Sequence, residues 1–238
     1  RAPASLNHPH ICSRYDVGRE GDCDYLVMEF LEGETLSARL SRSPLPIDQA
    51  LRVGIAIADA LDHAHRRGLI HRDVKPSNIM LTAAGPKLLD FGVAFWRGFD
   101  PFGMSDAAAV TQTATLSTEG ALIGTIQYMA PEQLEGKPAD ARSDVFGLGL
   151  LLFEMVTGKK AFSGQSQASL IAAILAADLP PLSSLQPTSP PALDHIVSRC
   201  LAKDPEERWQ SARDVGGQLE RVAGHPAAEP RAARHSQR

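Results

Sequence analysis

Apolar and polar positions change period along this chain, and each change marks a predicted element. The first thirty residues read as β: Ile11 to Val17 and Tyr25 to Phe30 are short apolar-rich runs, joined by a turn-like stretch from Gly18 to Asp22. Beyond Pro46 the period becomes helical. Ile47, Leu51, Ile55, Ala58, Leu61 and Ala64 recur at helical spacing and predict a helix from Ile47 to Arg67, with Pro46 suited to its first turn and Gly68 to its C-terminal cap. Short strands are predicted over 69–71, 79–82 and 86–89, with 83–85 as a turn. Residues 95–123 are rich in Ala, Thr, Ser and Gly, show no period and read as a long loop, a feature that in a compact domain usually serves function. Asp140 to Gly158 is apolar nearly all round, the pattern of a buried central helix. Further helices are predicted over 166–178, 190–203 and 209–223, with a proline-rich stretch over 180–191. From Gly224 to Arg238 no apolar stripe remains and the tail reads as disordered linker.

Composition changes this picture only by exclusion. With 238 residues, 43% hydrophobic and 22% charged, the chain can bury a real core. Lys and Arg number 24 against 28 Asp and Glu, so net charge gives no case for nucleic acid or an anionic membrane as partner. Cys12, Cys23 and Cys200 are too few and too scattered for a disulfide framework, which makes a reducing, cytoplasmic location the expectation. The longest apolar run, Val145 to Val156, falls short of the roughly 20 residues that span a bilayer, so no membrane segment and no signal peptide are predicted.

Chemistry enters with His71-Arg72-Asp73-Val74-Lys75-Pro76-Ser77-Asn78, followed by Asp90-Phe91-Gly92 and then Ala130-Pro131-Glu132. In this order the three motifs resemble the protein kinase family, with Val74 in place of the usual Leu. The resemblance implies an α+β, protein-kinase-like fold: a mainly helical C-lobe over 32–223, and a two-strand part of the N-lobe sheet with the hinge over 1–31. It also implies ATP and Mg²⁺ as cofactors and protein Ser or Thr hydroxyls as acceptors. Phosphoryl transfer asks a protein for positioning and charge neutralisation. By resemblance Asp73 meets the attacking hydroxyl, Lys75 touches the transferring phosphate, and Asn78 and Asp90 hold the metal on the phosphates. His71, Arg72, Phe91 and Gly92 support them. Lys75 in D-x-K-P-x-N and Thr125 after Gly124 follow the serine/threonine pattern, and Tyr128 to Gln133 and Asp140 to Asp144 look like the eukaryotic-like kinases of bacteria. The same likeness has Asp144 holding the catalytic-loop backbone and Arg208 pairing with Glu132. The run from Tyr25 to Gly33 resembles the last N-lobe strand and hinge, with Met28 as gatekeeper, the backbone of Glu29 and Leu31 on the adenine edge, and Met80 as its apolar floor.

Arg72 before Asp73 suggests control by phosphate in an expanded activation segment, Asp90 to Glu132, where Ser117 and Thr118 are the favoured sites and phosphorylation of one copy by another is a natural route. The sequence contains no G-x-G-x-x-G loop and no V-A-I-K strand, and it opens on Arg1. The expectation is therefore an N-terminally truncated kinase that transfers phosphate poorly as it stands, with residues 1–30 poorly ordered or self-associating. The alternative class is a catalytically inactive, kinase-like binding or regulatory module. Two decoys are set aside: His8, His10, Cys12 and Cys23 as a metal site, and Asp100 to Gly103 as a second D-F-G.

Overall fold

A computed structural model gives the fold and describes residues 6–21, 23–90 and 125–224. The predicted loop over 95–123 and all but the first residue of the predicted tail lie outside that range. In chain order the strands are β1 (Arg14–Glu20), β2 (Cys23–Met28), β3 (Gly33–Thr35), β4 (Ile79–Thr82) and β5 (Gly85–Leu88). The helices are α1 (Leu36–Leu40), α2 (Ile47–His65), α3 (Pro131–Leu134), α4 (Ala141–Thr157), α5 (Gln167–Ala176), α6 (Leu182–Leu185), α7 (Pro191–Cys200) and α8 (Ala212–Gly224). This is a helical α+β architecture with two small sheets.

β1 and β2 form an antiparallel pair, with Val17 opposite Leu26 and Gly18 opposite Tyr25. The predicted turn over 18–22 is corrected: β1 runs on to Glu20, and the left-handed residue is Gly21, at φ +60°. Gly18 serves a different purpose. A Cβ there would lie 2.2 Å from the Tyr25 ring, so glycine makes room for a cross-strand aromatic. The predicted Ile11–Val17 strand is likewise split. Ile11 bridges to Leu88, the Cys12 N–H donates to the Leu88 carbonyl at 2.9 Å, and the Leu88 N–H donates to the His10 carbonyl at 2.8 Å. Those bonds tie the hairpin to the second sheet, ordered β3-β4-β5, in which Met80 faces Thr35 on one side and Lys87 on the other.

Below this sheet α2 and α4 form the centre of the core. Leu51, Ile57 and Leu61 of α2 and Leu148, Leu151 and Leu152 of α4 are buried. A Cβ on Gly54 would meet a Leu152 methyl at 2.7 Å, so glycine sets how close these helices come. The Asp140 side chain caps α4 by accepting from the Arg142 N–H at 2.8 Å, and Gly158 ends it at φ +67°. Pro46 is the N-cap of α2 rather than a first-turn residue, and the helix closes at His65. α7 and α8 are shorter than predicted, because Pro205 opens a separate 3-10 turn over Pro205–Glu207 between them. No helix among the described residues is long and apolar enough to cross a membrane.

Candidate active site

The site begins with one correction. Residues 69–71, predicted as a strand, are irregular: the Leu69 N–H donates to the Ala64 carbonyl of α2 at 3.1 Å and the His71 N–H to a carboxylate, and neither bonds to another strand. Asp144, in the first turn of α4, is 1% exposed. Its Oδ2 accepts from the His71 N–H at 2.8 Å and from His65 Nε2 at 2.7 Å, and its Oδ1 accepts from the Arg72 N–H at 2.7 Å. One buried carboxylate thereby fixes two consecutive amides of the catalytic loop. Arg72 sits at φ +67°, a left-handed conformation that a non-glycine residue keeps only when its surroundings hold it there. His71, also 1% exposed, donates through Nε2 to the Leu89 carbonyl at 2.7 Å and accepts at Nδ1 from the Asp73 N–H at 3.2 Å. Those two roles require the Nε2–H tautomer. Asp144→Asn is expected to cost about 1–3 kcal/mol, because an amide offers one acceptor to three donors and turns an N–H toward at least one of them. Urea unfolding reads this directly, and an unchanged midpoint would contradict it.

Beyond His71 the candidate side chains converge. Asn78 closes the 3-10 turn Pro76–Asn78 and is 8% exposed. Its Nδ2 donates to the Asp73 carbonyl at 2.8 Å and to Asp73 Oδ2 at 2.9 Å. Lys75 Nζ lies 2.8 Å from the same Oδ2 and donates to Thr125 Oγ1 at 3.3 Å. The Leu89 N–H donates to the Asn78 carbonyl at 2.8 Å, which sets the exposed Asp90, at φ +59°, just beyond the loop. The structure thus brings Asp73, Lys75, Asn78 and Thr125 into one cluster, with Asp90 at the end of the strand beside it. Phe91, Gly92, Ser117 and Thr118 lie outside the described residues.

The donor set fits a hard cation. Asn78 spends its amide nitrogen on Asp73, which leaves its oxygen as the candidate ligand, and the Asp90 carboxylate is exposed. Among the described residues no group of three or more His, Cys, Asp or Glu forms a metal cage. An Asp–Asn pair completed by phosphate oxygens and water is the arrangement magnesium takes with nucleotides. His8 and His10 are accounted for otherwise: His8 contacts Asp59 Oδ2 at 3.1 Å and His10 the Pro86 carbonyl at 2.9 Å.

At the proposed hinge, Met28 is 37% exposed and ends β2. The Glu29 N–H donates to the Ser13 carbonyl at 2.8 Å, and the Glu29 carbonyl accepts from the Cys12 thiol at 3.7 Å. The Glu29 carboxylate takes Lys87 Nζ at 2.7 and 2.9 Å and the Ser13 N–H at 3.1 Å. The Lys87 hydrogen bond, ahead of that from Ser13, holds its carboxyl below the usual carboxylate range. Met80, half-buried in the middle strand of the second sheet, sits opposite Lys87.

On the other side of the catalytic loop, Arg208 is fully buried and grips Glu132 with two parallel bonds of 2.8 Å. Ser143 Oγ donates to Glu132 Oε1 at 2.6 Å. Burial alone would push the Glu132 carboxyl up, yet the bonds from Arg208 and Ser143 hold it below its ordinary value. The roles of two residues of the site were not legible in the sequence. His65 carries no motif signal; it is the last residue of α2, five residues short of the loop that opens at His71. Gln133 links the Ala130 N–H, accepted at 2.9 Å, to the Arg72 carbonyl, to which it donates at 3.0 Å.

Comparison with known proteins meets this geometry. The protein kinase domain family matches residues 2–217. The serine/threonine-protein kinase PknB of Mycobacterium leprae is 40% identical over 235 residues, which cover 96% of this chain and 36% of that protein. The serine/threonine-protein kinase PrkC of Bacillus subtilis is 36% identical over 217 residues, covering 90% of this chain and 31% of that protein. The chain thus spans about a third of the length of these relatives. Among solved structures, the kinase domain of Mycobacterium tuberculosis PknI superposes with a TM-score of 0.66 at 29% identity, over 92% of this chain and 73% of that one.

Proposed function

Because the chain belongs to the protein kinase family, we propose that it transfers the γ-phosphoryl group of ATP to Ser or Thr hydroxyls of proteins. The observation that carries this reading is the cluster around Asp73. A carboxylate sits between an ammonium 2.8 Å away and a buried amide 2.9 Å away, on a backbone fixed by Asp144. Asp73 orients the acceptor hydroxyl and takes its proton as the oxygen bonds to phosphorus and the bond to the leaving diphosphate breaks. Lys75 lies on the path of the transferring group and offsets its charge. Asn78 and Asp90 would hold Mg²⁺, which when bound would neutralise and orient the phosphates. Met28, Glu29, Leu31 and Met80 receive the adenine.

The choice of Ser and Thr over Tyr rests on Lys75 and on its bond to Thr125, and the relatives named above carry that specificity in their names. In this reading residues 32–223 form the lobe that bears the catalytic loop and the activation segment 90–132. Arg72 would face a phosphate at Ser117 or Thr118, placed there by a second copy. The product of the whole open reading frame, incubated with γ-labelled ATP, Mg²⁺ and casein, is expected to yield phosphoserine and phosphothreonine. Labelled phosphotyrosine alone, or no label, would remove the reading.

A further inference from the structure

We propose that Gln133 is a positioning residue: it clamps the left-handed Arg72 peptide and thereby couples the end of the activation segment to Asp73. The inference rests on the reading of Asp73 as the proton acceptor. Arg72 is one of two non-glycine residues with positive φ among the described residues. Such a conformation persists where neighbours over-determine it. Here the two peptide groups of Arg72 are held from different elements. Asp144 of α4 accepts from its N–H at 2.7 Å, and Gln133 of α3 donates to its carbonyl at 3.0 Å. That carbonyl belongs to the same peptide unit as the Asp73 N–H, which donates to His71 Nδ1 at 3.2 Å.

Both ends of the Gln133 amide are committed. Its oxygen accepts from the Ala130 N–H at 2.9 Å, which forces its nitrogen onto the Arg72 carbonyl. α3 is itself anchored. Glu132, its second residue, is locked to Arg208, and Pro131 and Leu134 are buried. Gln133 therefore joins a rigid anchor, reached directly from the activation segment, to the one strained peptide that precedes the base. A shift of α3 would change the aim of Asp73 without any contact to substrate. Misplacement of this kind lowers turnover more than affinity.

Two substitutions separate the bonds. Gln133→Glu keeps an oxygen for the Ala130 N–H and removes the donor to Arg72, whereas Gln133→Met removes both. Amide hydrogen exchange, followed by NMR on the 238-residue chain, is expected to rise about tenfold at Asp73 in Gln133→Glu, with Ala130 within about twofold of wild type. In Gln133→Met both amides are expected to rise. In the product of the whole open reading frame, Gln133→Glu is expected to lower kcat about tenfold and to leave KM for ATP within about twofold. Unchanged exchange at Asp73 overturns the coupling. Faster exchange at Asp73 with an unchanged kcat overturns the positioning role. A wild-type protein that transfers no phosphate removes the kinase reading instead, and the exchange arm still decides the coupling.

Discussion

Arg208→Leu is expected to destabilise the domain by about 3–5 kcal/mol, out of a total stability of about 5–15 kcal/mol. The side chain has no exposed surface, and all of its polar atoms are spent. Nε donates to the Ala202 carbonyl at 2.8 Å, Nη1 to Glu132 and to the Arg142 carbonyl at 3.1 Å, and Nη2 to Glu132 and to the Lys203 carbonyl at 3.0 Å. The guanidinium also lies 4.9 Å over the Phe146 ring. Leucine fills much of the volume and supplies none of the donors. Glu132 would remain, 6% exposed, with Ser143 as its hydrogen-bond donor, and an uncompensated buried carboxylate costs more than the pair contributes. For a domain of this size the thermal midpoint should fall by roughly 10 °C. The double variant Glu132→Leu with Arg208→Leu should recover part of that loss, because it removes the stranded charge. A single variant that loses less than about 1 kcal/mol in urea unfolding would sink the argument.

The same pair has a pH signature. The folded carboxyl of Glu132 titrates below its ordinary value of 4.5. A depressed acid contributes stability that is present above the unfolded value and is lost as pH falls through the folded one. Wild type should therefore weaken below about pH 4.5 and approach the variant there, whereas the gap between them should be full at pH 7.

What could be read in advance follows from how locally each feature is encoded. α2 and α4 announce themselves because burial against many neighbours imposes a period that a window of residues carries. The loop from His71 to Asn78 announces itself because several of its polar groups lie within eight consecutive residues and form a recognisable motif. Most of the failures are non-local. Residues 69–71 look like a strand, yet the Leu69 N–H bonds back to the Ala64 carbonyl of α2 and the His71 N–H to the Asp144 side chain on α4, and no local pattern records that. Gly18 resembles a turn residue until the Tyr25 ring is seen across the ladder. β3 and α1, three and five residues long, are too short to show a period. Gln133 and His65 are single polar residues whose meaning comes entirely from the carbonyl or carboxylate they reach.

Asp73→Asn is expected to lower kcat about 10²- to 10⁴-fold, the range that a positioned general base contributes. The substitution is nearly isosteric, and the local scaffold does not depend on the charge. Asp144 holds the His71 and Arg72 amides, His71 Nδ1 accepts the residue-73 N–H, and the residue-73 carbonyl keeps its bond from Asn78 at 2.8 Å. An asparagine oxygen can still accept from Asn78 Nδ2. On the proposed reading of Asp73, what it loses is the capacity to take a proton from the acceptor hydroxyl, together with the ion pair to Lys75. Freed from that pair, Lys75 remains next to Thr125 and can still meet phosphate. The affinity for ATP should accordingly stay within about threefold of wild type while the chemical step collapses, the pattern of an interaction made only in the transition state. Nucleotide titration and single-turnover kinetics on the same preparation read the two quantities separately. A variant that keeps more than about a tenth of wild-type turnover would show that the proton leaves by another route and that Asp73 only orients the hydroxyl.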